Sequence, residues 1–579
     1  MSMKRIYILL LTAVISLPLW AQEPTALWGK AVQGNGTAMG GDIKPASDGS
    51  LYVCGSVGTK TAEDVILFGN DVIAAPASVF KGKGSTSITN LFVSKMTQTG
   101  TPLWTVCSRN GDVETGGSGK QFLLPVNDGV IVAFSMHHGS GHYTDNILLI
   151  DASGTEVSLD WVLESESVTR YYKSFVMKIS NAGVIQWVRS LSPVNQKDAL
   201  SLCSLLADNE GNLWIGGNVK EAFSLLKADG TMMTVAPSFA GGDMLMMQLD
   251  KNGYYKQHLQ LEGTATKVNL CKMACSGGKL YVVGLLKGTA GSPVSLGGKS
   301  LTPDNDYANP FVAELSSDGL MADFLRLYPV RHSKDFGVSI LNIGVGSDAL
   351  WLASYSKGAL MTKSGKTVST ENWTYAGMLL KVDKETGELL DGYVKGYGEQ
   401  GVGLNQGGFY AAFEGRDGRL YALEYWLNKR MSMQIFDRSD LQSPVSSWED
   451  VIGYTSSAQN VVLTADGKMF VLARGNKSDP NTGLAPNPLY GGTVFVEQTS
   501  VDFSVLVCAF QLPVKPYAPV TAGDADGDGA VTAADVVEIA SYLTGKPSAS
   551  FVFEAADMNG DGKVDVSDVL QMIAVMTAK

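Results

Sequence analysis

DGSLYVCG at Asp48–Gly55 and FVSK at Phe92–Lys95 are two phrases that the chain keeps returning to. The first is a turn followed by an aromatic or apolar strand. It recurs as DGVIVAF (Asp128–Phe134), EGNLWIGG (Glu210–Gly217), GGKLYVVG (Gly277–Gly284), SDALWLAS (Ser347–Ser354), DGRLYALE (Asp417–Glu424) and DGKMFVLA (Asp466–Ala473). The second is two apolar residues, a variable one and a long polar one. It recurs as FVMK (Phe175–Lys178), LMMQ (Leu245–Gln248), FVAE (Phe311–Glu314), MLLK (Met378–Lys381), MSMQ (Met431–Gln434) and FVEQ (Phe495–Gln498), roughly 50 to 85 residues apart. After several copies come a turn glycine (Gly100, Gly183, Gly253, Gly319 or Gly387) and another strand, as in GTPLWTV and GVIQWVRS. Asp-Gly between apolar runs favours a hairpin, because both residues tolerate positive φ. Each unit therefore reads as an antiparallel sheet of about four strands.

Runs such as LFV and LWI do not alternate between apolar and polar, so these sheets need cover on both faces. Sheets stacked radially around an axis supply it, each covering the next. The expected fold is mainly β, a β-propeller over residues 25–512 with seven blades, within a range of six to eight. A solenoid or a tandem sandwich is the alternative. TALWGKAV (Thr25–Val32) is like the outer-strand phrases and is expected to pair with the last blade and close the ring. The phrase set resembles bacterial β-propeller-repeat proteins, in which an FVAK-type strand precedes a turn and a tryptophan-bearing strand. Trp104 and Trp187 keep that tryptophan, and later copies lose it.

A 579-residue chain with 45% apolar residues can bury a large core, and 65 glycines with 18% charged residues suit short strands and tight turns. The net charge of −12 disfavours nucleic acid as a partner. Met1–Ala21 reads as a secretory signal peptide: Lys4-Arg5, the apolar run IYILLLTAVISLPLW, and Ala21-Gln22 as the cleavage junction. The run is shorter than the roughly 20 residues a spanning helix needs, which leaves no transmembrane helix in the mature chain; an uncleaved anchor is the alternative. The segment resembles signals common in the Bacteroidetes, which implies a secreted or envelope protein of a Gram-negative bacterium. Of the six cysteines, Cys54, Cys107 and Cys508 sit in strand-like runs and read as small apolar residues, and Cys271 and Cys275 are too close along one strand to pair easily.

Beyond a Pro-rich linker (513–523), a twelve-residue acidic loop occurs twice: DADGDGAVTAAD (Asp524–Asp535) and DMNGDGKVDVSD (Asp557–Asp568), with equivalent residues 33 apart. Oxygen side chains at loop positions 1, 3, 5 and 12 with glycine at 6 are what a calcium ion requires. In the first copy the ligands are Asp524, Asp526, Asp528 and Asp535, the Ala530 carbonyl at position 7, and Thr532 at the water position. In the second they are Asp557, Asn559, Asp561 and Asp568, the Lys563 carbonyl, and Asp565 at position 9. Two Ca2+ ions are expected, and the absence of His and Cys argues against zinc. A solvated acidic turn is the bland alternative. Each loop is followed by a helical pattern, with Val536, Ile539, Ala540 and Leu543 on one face of the first and Val569, Met572, Ile573 and Met576 on one face of the second.

A loop followed by a helix, duplicated, with Asp at position 12 and Val531 or Val564 at position 8, resembles the dockerin type I family over residues 524–579. The resemblance implies calcium ligation at the positions above and non-catalytic docking onto a cohesin-like or other envelope protein, often on behalf of a polysaccharide-degrading enzyme. Family members often carry Ser-Thr at loop positions 10 and 11; here these are Ala533-Ala534 and Val566-Ser567.

No catalytic set stands out. His137, His138 and His142 in HHGSGH admit a metal, but a Gly/Ser-rich exposed loop explains them as well. TGGSGKQ (Thr115–Gln121) lacks the spacing of a phosphate loop. Trp161, Tyr171 and Tyr172 can stack on sugar rings or pack against a blade. The insertions Thr59–Thr89 and His137–Ser174 belong at blade edges or on one rim. Three functions follow: a secreted, calcium-binding scaffold that binds a glycan and attaches through its C-terminal module; a polysaccharide-acting glycoside hydrolase or lyase with its site on the propeller; and a surface protein whose calcium module only rigidifies its end.

Overall fold

The computed structural model describes residues 24–577 apart from 47, 80, 82–86, 115–121, 139–144, 160–171, 196–197, 209–210, 317, 331–336, 371–375, 397–406, 427–430, 453–454, 465, 477–488, 491–492, 495–502, 514–521, 527–530, 547–550 and 560–562. The repeated phrases become the second and third strands of four-strand antiparallel sheets, each a simple meander. The first sheet is Ala38–Pro45, Leu51–Thr59, Ile88–Met96 and Pro102–Arg109. The second is Leu123–Val126, Gly129–His138, Lys173–Ser180 and Ile185–Pro193, with Gly111–Glu114 also pairing Gly129–His138. The third is Leu200–Ala207, Leu213–Val219, Asp243–Leu249 and Tyr255–Leu259, and the fourth Ala265–Ser276, Lys279–Gly288, Ala308–Leu315 and Ala322–Leu327. The fifth is Gly337–Val345, Ala349–Lys357, Ala376–Asp383 and Leu389–Gly396, and the sixth Gly407–Glu414, Arg419–Trp426, Met431–Asp437 and Ser446–Ile452.

The last sheet draws on both ends of the repeat region. Thr455–Leu463, Lys468–Asn476 and Phe503–Gln511 are joined by Thr25–Gln33, with Gly29 opposite Cys508 and Lys30 opposite Val507. The expected closure by Thr25–Val32 is therefore present. One expectation needs correcting: the strand beside Lys468–Asn476 is Phe503–Gln511, not FVEQ (Phe495–Gln498), which lies outside the described residues. A central strand is covered on both faces, and the run from Val505 to Phe510 is buried throughout.

The core lies between sheets. Val53 and Phe92 of the first sheet pack with Phe470 and Val507 of the last. Trp214 and Met246 of the third meet Val282 and Phe311 of the fourth, and Tyr281 and Val312 of the fourth meet Leu352 and Leu380 of the fifth. Trp351 and Leu379 pack with Phe409 and Phe436, Tyr421 and Met433 with Val471 and Cys508, and one larger cluster spans the first three sheets. The first strands of successive sheets touch in a closed cycle. The architecture is a β-propeller, with the first strand of each sheet innermost.

The phrases now have physical reasons. The long polar residue of the second phrase reaches back to the turn of the first: Lys95 Nζ to Asp48 at 2.7 Å, Lys178 Nζ to Asp128 at 2.6 Å, and Gln248 Nε2 to Asp208 at 2.7 Å. In the fourth sheet the signs are exchanged, with Lys279 on Glu314 at 2.6 Å. The tryptophan covers the next sheet's turn glycine. Trp104 donates Nε1 to the Asn181 carbonyl at 2.8 Å and lies against Gly183; Trp187 lies against Gly253; Trp28 donates to the Gln98 carbonyl at 2.6 Å and lies against Gly100. Where tryptophan is lost, Phe324 covers Gly387.

The insertions fall at blade edges. The hairpin Ile66–Phe68/Asp71–Ala74 pairs with Thr25–Gln33, Leu148–Ile150/Glu156–Ser158 with Pro102–Arg109, and Phe223–Leu226/Met232–Val235 with Ile185–Pro193. Each hairpin thus extends the outer strand of the preceding sheet, which covers an edge that would otherwise be open for pairing. None of the six cysteines forms a disulfide; Cys54, Cys107, Cys203 and Cys508 are buried, and burial pushes the Cys107 and Cys508 thiols up to about 12.

Candidate metal centre

The described residues of the tail form three helices, α1 (Ala533–Leu543), α2 (Phe553–Ala556) and α3 (Val566–Thr577). Thr532 caps α1: its Oγ1 accepts from Ala534 N at 3.1 Å, and Asp535 completes a capping box from the helix's first turn. That geometry turns Asp535 back into the loop it ends. Asp535 is fully buried; its Oδ1 accepts from Asp526 N at 3.0 Å and its Oδ2 from Thr532 N at 2.7 Å. Asp568 repeats the arrangement, accepting from Met558 N at 2.8 Å and from Asp565 N at 2.8 Å. Hydrogen bonds from Ser567 hold the Asp565 carboxyl below its ordinary range.

Carboxylate oxygens of Asp524, Asp526 and Asp535 all lie within 4.8 Å of one another. Oxygens on one calcium ion at roughly 2.4 Å are at most about 4.8 Å apart, so the spacing fits a shared cation. Like charges this close repel without one, and an all-oxygen set suits a hard ion. Asp528, Ala530 and Asp561 lie outside the described residues. In the second loop Asp557 is half-buried, Asn559 and Lys563 are exposed, and Asn559 Nδ2 donates to Ser567 Oγ at 2.9 Å.

The loops are joined where they begin: Gly523 N donates to the Ala555 carbonyl at 2.8 Å and Val552 N to the Ala525 carbonyl at 2.9 Å. Beneath them Ala525, Ile539, Ala556, Val564 and Met572 form a small core, flanked by Val536, Tyr542, Val569 and Met576. The helical faces differ from expectation in three places. Ala540, Leu543 and Ile573 are exposed, and Tyr542 points inward to stack on Phe551, with ring centroids 4.5 Å apart.

Among the described residues, the other sequence candidates do not assemble into a site. His137 Nδ1 is 2.6 Å from the His138 carbonyl and its ring meets Tyr172 edge-on, while His138 is buried in the strand. His142, Trp161, Tyr171 and Thr115–Gln121 lie outside the described residues. A buried polar group that the sequence reading missed surrounds Asp42 in the first strand of the first sheet. Its Oδ1 accepts from Ile43 N at 2.8 Å and from Asn460 Nδ2, and its Oδ2 from Phe122 N and Leu123 N, both at 2.9 Å. Lys44 Nζ is 4.0 Å from Oδ1. These partners come from three sheets and share no phrase, so only pairing register could have united them.

Residues 522–576 match the family model of the Dockerin type I domain. Such domains bind calcium and generally bind cohesins, and the carboxylate cluster of the first loop has the spacing such an ion needs. No curated protein matches the chain. Among solved structures, the quinohemoprotein alcohol dehydrogenase of Comamonas testosteroni is similar at 11% identity, covering 84% of this chain and 76% of that one with a TM-score of 0.36. The Dos1 propeller is similar at 10% identity, 84% and 95% coverage and a TM-score of 0.33. A protein of unknown function from Dyadobacter fermentans DSM 18053 gives 11%, 85% and 99%, and 0.32. No helix among the described residues is long and apolar enough to cross a membrane.

Proposed function

We propose that this chain is a secreted scaffold in which a seven-bladed propeller (25–512), joined by the linker 513–523, is attached to a cohesin-like envelope protein through a module that two calcium ions order (524–579). Its setting is polysaccharide utilisation in a Gram-negative envelope, with a glycan as the propeller's ligand. The observation that carries this reading is an exposed apolar stripe on α3. Val566, Leu570 and Ile573 are 64%, 63% and 42% exposed, and their spacing places them on one helical face. Val537 on α1, 64% exposed, is Leu570's equivalent in the first repeat. A compact module that leaves several large apolar side chains in water, on helices that follow its calcium loops, has a surface suited to a partner.

The test is binding of the full chain to an immobilised type I cohesin in calcium and in chelator. Capture in calcium alone, weakened at least tenfold by Leu570→Asp with calcium affinity unchanged, is expected. Equal capture in chelator, or an unaffected Leu570→Asp, overturns the reading. A glycan array with the same chain checks the propeller's ligand: retention of intact glycans is expected, and shortened products would establish an enzyme instead.

A further inference from the structure

Six of the seven innermost strands carry a β-bulge at one level, opposite the end of the turn-strand phrase. The pairing shifts between Gly40 and Asp42, Leu202 and Ser204, Leu270 and Lys272, Ile340 and Asn342, Phe409 and Ala411, and Ala458 and Asn460. In the second sheet the same level falls between Glu114 and Leu123. A bulge re-aims the side chain that follows it. That residue is polar in five of the six: Asp42, Ser204, Lys272, Asn342 and Asn460. Because the innermost strands touch in a closed cycle, these positions form a polar ring about the axis.

Lys272 stands out within it. It is 2% exposed, and among the described residues no hydrogen bond or ion pair reaches its ammonium. Its charge is nonetheless felt by Asp42, and the charges of Asp42 and Lys44 act on it in turn. Those two belong to the first sheet and Lys272 to the fourth. The sheets are not neighbours, so these charges act on one another across the axis. Asp42 cannot serve as the missing acceptor, since four N–H donors already fill its two oxygens. Two cationic side chains therefore share the field of one carboxylate whose oxygens are already filled, which leaves the Lys272 ammonium able to take a further acceptor.

We propose that the propeller axis is an oxyanion-binding site in which Lys272, backed by Lys44, receives an acid group of a ligand. The site does not depend on the calcium module. Burial first, and then Lys44, lower the Lys272 ammonium to about 8, with Asp42, Cys203 and Cys271 opposing. Binding should therefore be strong at pH 7 and fade towards pH 9. The full chain is titrated calorimetrically with sulfate and with glucuronate at constant ionic strength. Saturable binding of either supports the site, and the tighter probe tells whether the natural acid group is inorganic or carried on a sugar. Lys272→Met should weaken it at least tenfold. Should that variant not fold, Lys44→Met is expected to weaken binding at least threefold, and the wild-type pH profile still applies. No saturable binding of either probe, binding unchanged in the folded lysine variants, or a profile flat from pH 7 to 9 overturns the proposal.

Discussion

Asp243 occupies a place where two other sheets carry asparagine. It lies two residues before Leu245 of the second phrase, as Asn90 precedes Phe92 and Asn309 precedes Phe311. Asn90 Nδ2 donates to Thr59 Oγ1 at 2.6 Å and Asn309 Nδ2 to Asn305 Oδ1 at 2.9 Å. Asp243 is fully buried; Oδ2 accepts from Ser238 N and Gln260 Nε2, while Oδ1 has no partner among the described residues. Burial raises its carboxyl to about 6. A carboxyl raised on folding contributes stability that is complete below its ordinary value of 3.8 and is lost as pH rises through about 6. Asp243→Asn should therefore stabilise the protein at pH 7 by on the order of 2 kcal/mol and flatten melting temperature between pH 4 and pH 6. An unchanged pH profile would disprove it. At the same scale, Asp535→Ala with Asp568→Ala removes the residue that closes each loop. Circular dichroism should then show no helix gained on adding calcium, whereas the wild type gains it. The candidate calcium residues could be named from the sequence because fixed positions in one short loop suggest them, and the structure brings Asp524, Asp526 and Asp535 together. Asp243, Asp42 and Lys272 could not be named, since burial and the partners from other strands decide their chemistry.

Among elements, the recurring glycine and tryptophan act as a single contact between neighbouring sheets. Gly183 has φ +83°, and a Cβ there would lie 2.6 Å from the Ala152 side chain and 2.9 Å from the Trp104 ring. Gly183→Ala combines backbone strain with a clash and should destabilise by about 1–3 kcal/mol in a denaturant titration. Trp28→Ala removes the equivalent contact at the seam where the chain's two ends meet. A loss of roughly 2–4 kcal/mol is expected there. The spacing of glycine and tryptophan was visible in the sequence, but not that each tryptophan serves the following sheet. The helices show the opposite limit. Periodicity placed Leu543 and Ile573 inward, yet Tyr542 took the core because Phe551, in the segment between repeats, offers a ring to stack on.

For the whole molecule, the ring is closed by strand pairing between Thr25–Gln33 and Phe503–Gln511, residues at opposite ends of the repeat region. Repetition of two phrases was enough to expect such closure. The hairpins that thicken the outer edges were not foreseeable in their pairing, because short inserted strands take their partner from the preceding sheet. The propeller's cores are apolar and join sheet to sheet, whereas the tail's small core sits beneath loops crowded with carboxylates. Calcium should thus stabilise one unit and leave the other untouched. Calorimetry of the full chain should show two transitions, with only the smaller moving to higher temperature in calcium, by an amount that grows with free calcium concentration. Removal of residues 513–579 should delete that transition and leave the larger one in place. A single transition that shifts as a whole with calcium would instead mean that the ring and the tail unfold together, and the tail would then be part of the propeller's stability and not only a means of attachment.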